Sequence, residues 1–264
     1  MTIKHIKTKD NIAEILITVP SKTIDTNTKT TLSKLSQTLS VKGFRKGKVP
    51  PAIAKKEIGE EKLKQKTIDT ILESAIIQII KDKKFELLGI PQLQKADTDK
   101  KESWSFTLKL PLNPKIQLGD YKKTIHNALA KSKKNNKDTK FSLIIDTLLK
   151  KIKIIIPNLL IEREVENSLA RLVRQTETLN LSLETYLASI KKTPQQIRDE
   201  YQKKAEENIK IDLILSKIAN DLKITATTKE IETFAQASNL STQHSHSIAS
   251  IIVRRKTLDQ LLTI

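Results

Sequence analysis

Gly43, Gly47 and Lys48, in the stretch GFRKGKVPP at residues 43–51, are the residue types of a phosphate cradle. A P-loop needs four residues between its glycines, so that successive N–H groups wrap a phosphate, and a Ser or Thr after the lysine to hold magnesium. Here three residues separate the glycines and Val49 follows Lys48, so nucleotide binding is set aside. His244 and His246 form an HSH pair with no acidic or sulfur ligand near them in sequence, and they read as a polar corner rather than a metal site. Glu206 and Glu207 are adjacent carboxylates on a charged helical stretch and read as solvated. The chain has no cysteine, which removes thiol nucleophiles, disulfides and cysteine-based zinc sites, and no Ser-His-Asp pattern is present. No catalytic residue, metal or cofactor is expected.

Phe44 is what sets the loop apart. Aromatic residues are 3% of the chain, and this one stands between Gly43 and the cations Arg45 and Lys46. A Phe in such company is a contact residue more often than a core residue. The glycines allow positive φ, and Pro50 with Pro51 stops the turn from running into the next element. The expected result is a stiff, presented loop whose tip pairs with carboxylates or phosphates.

Charge narrows the partner. A net charge of +18 and a pI near 9.8 attract the chain to a polyanion: nucleic acid, a ribosome or an acidic membrane face. Residues 1–119 carry 23 Lys and Arg against 13 Asp and Glu, residues 120–156 carry 10 against 3, and residues 157–264 carry 15 against 14. The electrostatic anchoring is therefore expected in the first half and in the tract after it. The N-terminal residues lack the apolar core of a secretory signal, and no apolar run approaches the length of a membrane span, so a soluble cytoplasmic protein without a membrane partner is expected.

The elements that would hold the loop divide at residue 120. All five glycines precede it, and the 145 residues from 120 onward contain none. In the first part, residues 12–20 read as a strand, the stretch from Ser21 as a helix, and Ile68, Ile71, Leu72, Ala75, Ile76, Ile79 and Ile80 as one face of a second helix. Strands are expected at 85–94 and 103–112. The outcome is an α+β domain, β-α-α-β-β, over residues 1–119, then a basic linker at 120–140, then an all-α elongated helical domain at 141–264. Ile161, Val165, Leu169, Leu172 and Val173 make one helical stripe, and Ile197, Tyr201, Ala205, Ile209, Leu213 and Ile218 make another after a Thr193-Pro194 start. The apolar stretches DLILSKIA and SIASIIVRRKTLDQLLTI look like more apolar surface than helices can bury among themselves, which marks a binding face.

GFRKGKVP, placed between two helices of such a domain, resembles the ribosome-docking signature of the bacterial trigger factor family. LNPKIQLGDYK at 112–122 resembles the segment that leaves that family's N-terminal domain, and IPNLLIEREVENSLARL and LSLETYLASIKKTPQQIRDEY resemble its helical chaperone body. The resemblance implies an ATP-independent chaperone that docks beside the ribosomal exit tunnel and holds nascent or unfolded polypeptides. On it, Phe44 is the apolar anchor, Arg45 and Lys46 the charged contacts to a ribosomal protein and neighbouring rRNA, Gly43 and Gly47 the hinge glycines, and Lys48 and Pro50 complete the match. It also makes a weak homodimer plausible off the ribosome. Most of that family carries a peptidyl-prolyl isomerase domain of the FK506-binding type after a segment like LGDYK. Only 35 residues lie between Lys122 and Ile156, too few for a pocketed β domain of about 100 residues, so that activity is not expected here. The competing reading is a basic RNA-binding protein without chaperone activity. It would need several aromatics on an exposed sheet, where only Trp104 and Phe106 are on offer.

Overall fold

A computed structural model of the chain describes residues 1–82, 85–100, 102–131, 136–238 and 245–264. They form two compact units, Met1–Asn113 and Pro114–Ile264.

The first unit is an antiparallel sheet with helices on one face. Its elements are β1 (Thr2–Lys9), β2 (Ile12–Pro20), α1 (Ser21–Thr38), α2 (Pro51–Ile58), α3 (Glu60–Lys81), β3 (Gln92–Asp97) and β4 (Ser103–Pro111). The strand order is β1-β2-β4-β3. Alternation along β2 buries Ala13, Ile15, Ile17 and Val19 on one side, in register with Phe106, Leu108 and Leu110 of β4. Ile24 of α1 and Ile68, Ile71, Ala75 and Ile79 of α3 close over that face. The stripe expected on α3 is thus the core face, except that Ile80 at its end is exposed.

Two differences from the sequence expectation concern strands. An additional strand, β1, pairs with β2 through a tight turn in which Asp10 and Asn11 both have positive φ, 50° and 58°, as the common two-residue hairpin requires. A register shift between His5 and Lys7 breaks the alternation of β1, so Ile3 packs on the core while Ile6 is exposed, and no period-2 pattern shows in the sequence. The strand expected at 85–94 begins only at Gln92; before it, Leu87 makes a single bridge to Leu112.

The second unit is helical: α4 (Tyr121–Ala130), α5 (Lys137–Lys151), α6 (Asn158–Thr178), α7 (Leu183–Ser189), α8 (Pro194–Asp221), α9 (Thr228–Ala237) and α10 (Ser245–Leu261). Three apolar clusters follow one another along α8. Ile211, Ile214, Leu215 and Ile218 pack with α4, α5 and α10, Ala205 packs with Ile161 and Val165 of α6, and Ile197 packs with Leu172 and with Leu187 of α7. α8 starts as its sequence indicated. The Thr193 hydroxyl accepts from the Gln196 N–H (3.2 Å), the Gln196 side chain accepts from the Thr193 N–H (2.8 Å), and Pro194 takes the first helical position.

Two further expectations are corrected in this unit. The first unit closes at Asn113, whose N–H donates to the Glu86 carbonyl, rather than at residue 119, because Ile116 and Leu118 pack on the helical core. Nor is 120–140 a linker in its described part: Tyr121 and Ile125 of α4 are buried in that core, and Leu129 packs beside them. The apolar stretch DLILSKIA offers no surplus surface either, since Ile214, Leu215, Ile218 and Ala219 are fully covered. In α10, Ile248 and Leu261 are buried and Ile251 is exposed.

With no glycine in this unit, three helices stop on other residues in the left-handed region: Asn180 after α6, Lys191 after α7 and Lys223 after α8, with φ of 54°, 53° and 56°. In each, the next N–H returns to a carbonyl in the last turn: Leu181 to Thr176, Lys192 to Leu187 and Ile224 to Ala219.

Candidate functional site

The loop between α1 and α2 consists of two consecutive tight turns built to one pattern. Val41-Lys42-Gly43-Phe44 closes with the Phe44 N–H donating to the Val41 carbonyl (3.1 Å), and Arg45-Lys46-Gly47-Lys48 closes with the Lys48 N–H donating to the Arg45 carbonyl (2.9 Å). Each turn has a glycine at its third position with positive φ, 90° at Gly43 and 79° at Gly47, as a type II turn requires. The two glycines are not equivalent. A Cβ on Gly43 would meet nothing within 4 Å, whereas one on Gly47 would lie 3.3 Å from the Gln37 carbonyl oxygen in the last turn of α1.

Below the turns the loop is fixed to the unit. Val49 and Ala54 are buried, Pro50 caps α2, Pro51 is its first residue, and the Ala54 N–H donates to the Pro50 carbonyl (2.9 Å). Above them, Phe44 keeps 39% of its surface open, and Lys42, Arg45, Lys46 and Lys48 are exposed. None of these four cations is paired with a carboxylate among the described residues. An apolar ring among unpaired cations suits a surface that is itself acidic with an apolar depression.

All seven expected residues, Gly43, Phe44, Arg45, Lys46, Gly47, Lys48 and Pro50, therefore lie in one short structure. The sequence reading missed Lys42 and Val49. Lys42 was legible in the repeated x-Lys-Gly-x of VKGF and RKGK, while the anchoring of Val49 depends on packing that no local pattern records. Ile53, in the first turn of α2, is a further exposed apolar residue beside the loop in sequence.

The remaining candidates are dispersed. His5 bonds the Thr8 hydroxyl, His126 bonds the Ile264 backbone oxygen, and Glu206 and Glu207 are exposed beside Lys203 and Lys210. His246 opens α10 near the Asp212–Arg254 ion pair, while His244 lies outside the described residues. Among the described residues no three His, Asp or Glu side chains gather as a metal site, and no helix is long and apolar enough to cross a membrane.

Comparison with known proteins extends the resemblance to the whole chain. The family described as bacterial trigger factor protein matches residues 1–143, and that of the bacterial trigger factor C-terminus matches residues 117–263. The two matches overlap from 117 to 143 and leave no residues between them. The trigger factors of Listeria welshimeri serovar 6b and of Lactococcus lactis subsp. cremoris are each 31% identical over 122 residues, which is 46% of this chain and 29% of each relative's own length. A solved structure of a trigger factor chaperone, studied for promiscuous substrate recognition in folding and assembly, aligns with a TM-score of 0.68 at 13% identity and covers 100% of this chain and 99% of its own. With one family match spanning the sheet unit and the other the helical unit, the chain belongs to the bacterial trigger factor family.

Proposed function

We propose that this chain is an ATP-independent, ribosome-associated chaperone of the cytoplasm, with the double turn at 43–50 as its docking element and the helical unit as the holder of nascent and unfolded polypeptides. The observation that carries the reading is Phe44, presented among four unpaired cations by two glycine-dependent turns. Its docking partner is a ribosomal protein at the exit tunnel with rRNA beside it, and off the ribosome the chain self-associates weakly. Prolyl isomerisation is not part of its activity. In support, α4 and α5 occupy 121–151, where the family's isomerase domain would be inserted.

The RNA-binding reading loses its main support in the sheet. Phe106 is fully buried on the helix side, and Trp104 meets it edge to face at 6.4 Å, so these rings form no stacking platform for bases.

An aggregation assay on the full chain tests the proposal. Without nucleotide, it delays aggregation of an unfolded apolar protein, and it leaves the relaxation of an X-Pro peptide at its uncatalysed rate of roughly tens of seconds or slower. Undelayed aggregation overturns the chaperone reading. Accelerated relaxation at catalytic concentrations overturns the absence of isomerase activity.

A further inference from the structure

The caps that end α6, α7 and α8 share one design, with an aliphatic residue before the left-handed position: Leu179, Ile190 and Leu222. Two of these side chains are used by the fold. Leu222 packs on the core around Ile214 and Leu215, and Ile190 packs on Leu187 and Ile197. Leu179 is instead 67% exposed, the highest value among the large apolar residues described. The backbone bonds of its cap are complete without the side chain, so helix ending does not account for a leucine there.

Beside Leu179 lies an open hollow of about 400 Å³, lined by Leu172, Gln175, Thr176, Thr178, Leu179 and Tyr186. Its polar members are turned away from a ligand. The Thr176 hydroxyl donates to the Val173 carbonyl and the Thr178 hydroxyl to the Arg174 carbonyl, both at 2.8 Å. Leu181, just past the cap, is a second exposed aliphatic. Arg174 stands one turn before Thr178 on the same helix face, exposed and without a carboxylate partner among the described residues.

We propose that this α6–α7 corner receives an apolar side chain of an unfolded polypeptide that carries an acidic residue next to it, with Leu179 as the apolar contact and Arg174 as the charge that selects. The inference rests on the chaperone reading and names the kind of segment it holds. An open, apolar hollow with one cation at its rim fits a linear segment of that composition. A second copy of the chain is a poorer occupant, because each copy carries a net charge of +18 and repels the other.

Three short glycine-serine peptides probe it with the full chain: a central leucine flanked by glutamates, the same leucine flanked by lysines, and a serine flanked by glutamates. The glutamate-flanked leucine peptide binds most tightly. Leu179→Ser weakens it about tenfold, the scale of losing most of one leucine's burial, while the melting temperature holds. Arg174→Glu reverses the preference between the acidic and basic leucine peptides. Equal affinity of the three peptides, or unchanged binding in both variants, overturns the proposal. A change in sedimentation of Leu179→Ser with unchanged peptide affinity also overturns it, in favour of self-association. Delayed aggregation together with failed peptide binding removes this corner and leaves the chaperone reading standing. Peptide binding that depends on Leu179 and Arg174 without delayed aggregation keeps the corner and removes the chaperone reading.

Discussion

Gly43 and Gly47 look interchangeable in the sequence, and the structure separates them. Alanine at either position must adopt a positive φ, which costs about 1 kcal/mol. Only at Gly47 does the added methyl also press on the end of α1, 3.3 Å from the Gln37 carbonyl oxygen. Urea unfolding is expected to give a loss of about 1 kcal/mol for Gly43→Ala and about 2 kcal/mol for Gly47→Ala. Equal losses would contradict the packing role of Gly47. The loop itself was legible because its signals are local: glycine, proline and an isolated aromatic within nine residues. Which glycine bears on α1, and that Val49 seals the base, depends on residues brought together only by folding.

At the scale of elements, α9 is tied to α10 by a charge. Glu230 caps α9 in a reciprocal pair with Thr227, and the Lys256 ammonium of α10 donates to both Glu230 oxygens, at 2.8 and 3.1 Å, and to the Thr225 carbonyl. The Lys256 bonds, with those from Thr227, lower the Glu230 carboxyl to about 2, from an ordinary value of about 4.3. The folded state therefore gains from the charged form above about pH 4.3, and that gain is lost as pH falls toward 2. Glu230→Gln keeps the capping geometry, as Gln196 does on α8, but removes the charge. The melting-temperature gap between wild type and this variant should narrow as pH falls through that window, and a constant gap would mean the ion pair adds nothing. Legibility differed among elements for physical reasons. The stripes of α3, α6 and α8 repeat at helical spacing over many residues and were plain. β1 was hidden by its bulge, and α4 by lysines that mask a spacing of four in Tyr121, Ile125 and Leu129. DLILSKIA was misjudged because an apolar count does not reveal the α5 and α10 partners that cover it.

For the whole molecule, assigning α4 and α5 to the helical unit redistributes the charge. Residues 1–113 carry 22 Lys and Arg against 13 Asp and Glu, and residues 114–264 carry 26 against 17, so each unit is at +9, and near-neutrality holds only from residue 157 onward. Electrostatic attraction to a polyanion is thus common to both units, and it weakens with salt as counterions compete. A fragment of residues 114–264 should delay aggregation at low and moderate salt alike while binding ribosomes and free RNA equally and losing both as salt rises. A fragment of residues 1–113 should keep a preference for ribosomes. Helical-fragment binding that still favours ribosomes at moderate salt would place docking outside the double turn. The most direct measurement is co-sedimentation of the full chain with ribosomes at roughly physiological ionic strength, about 0.15 M, wild type against a variant with Phe44, Arg45 and Lys46 all changed to Ala. The variant should remain folded, because these side chains are exposed, and should leave the ribosome pellet, because a few presented residues dominate such interfaces. A folded variant that pellets as well as wild type would contradict the assignment of this loop as the docking site.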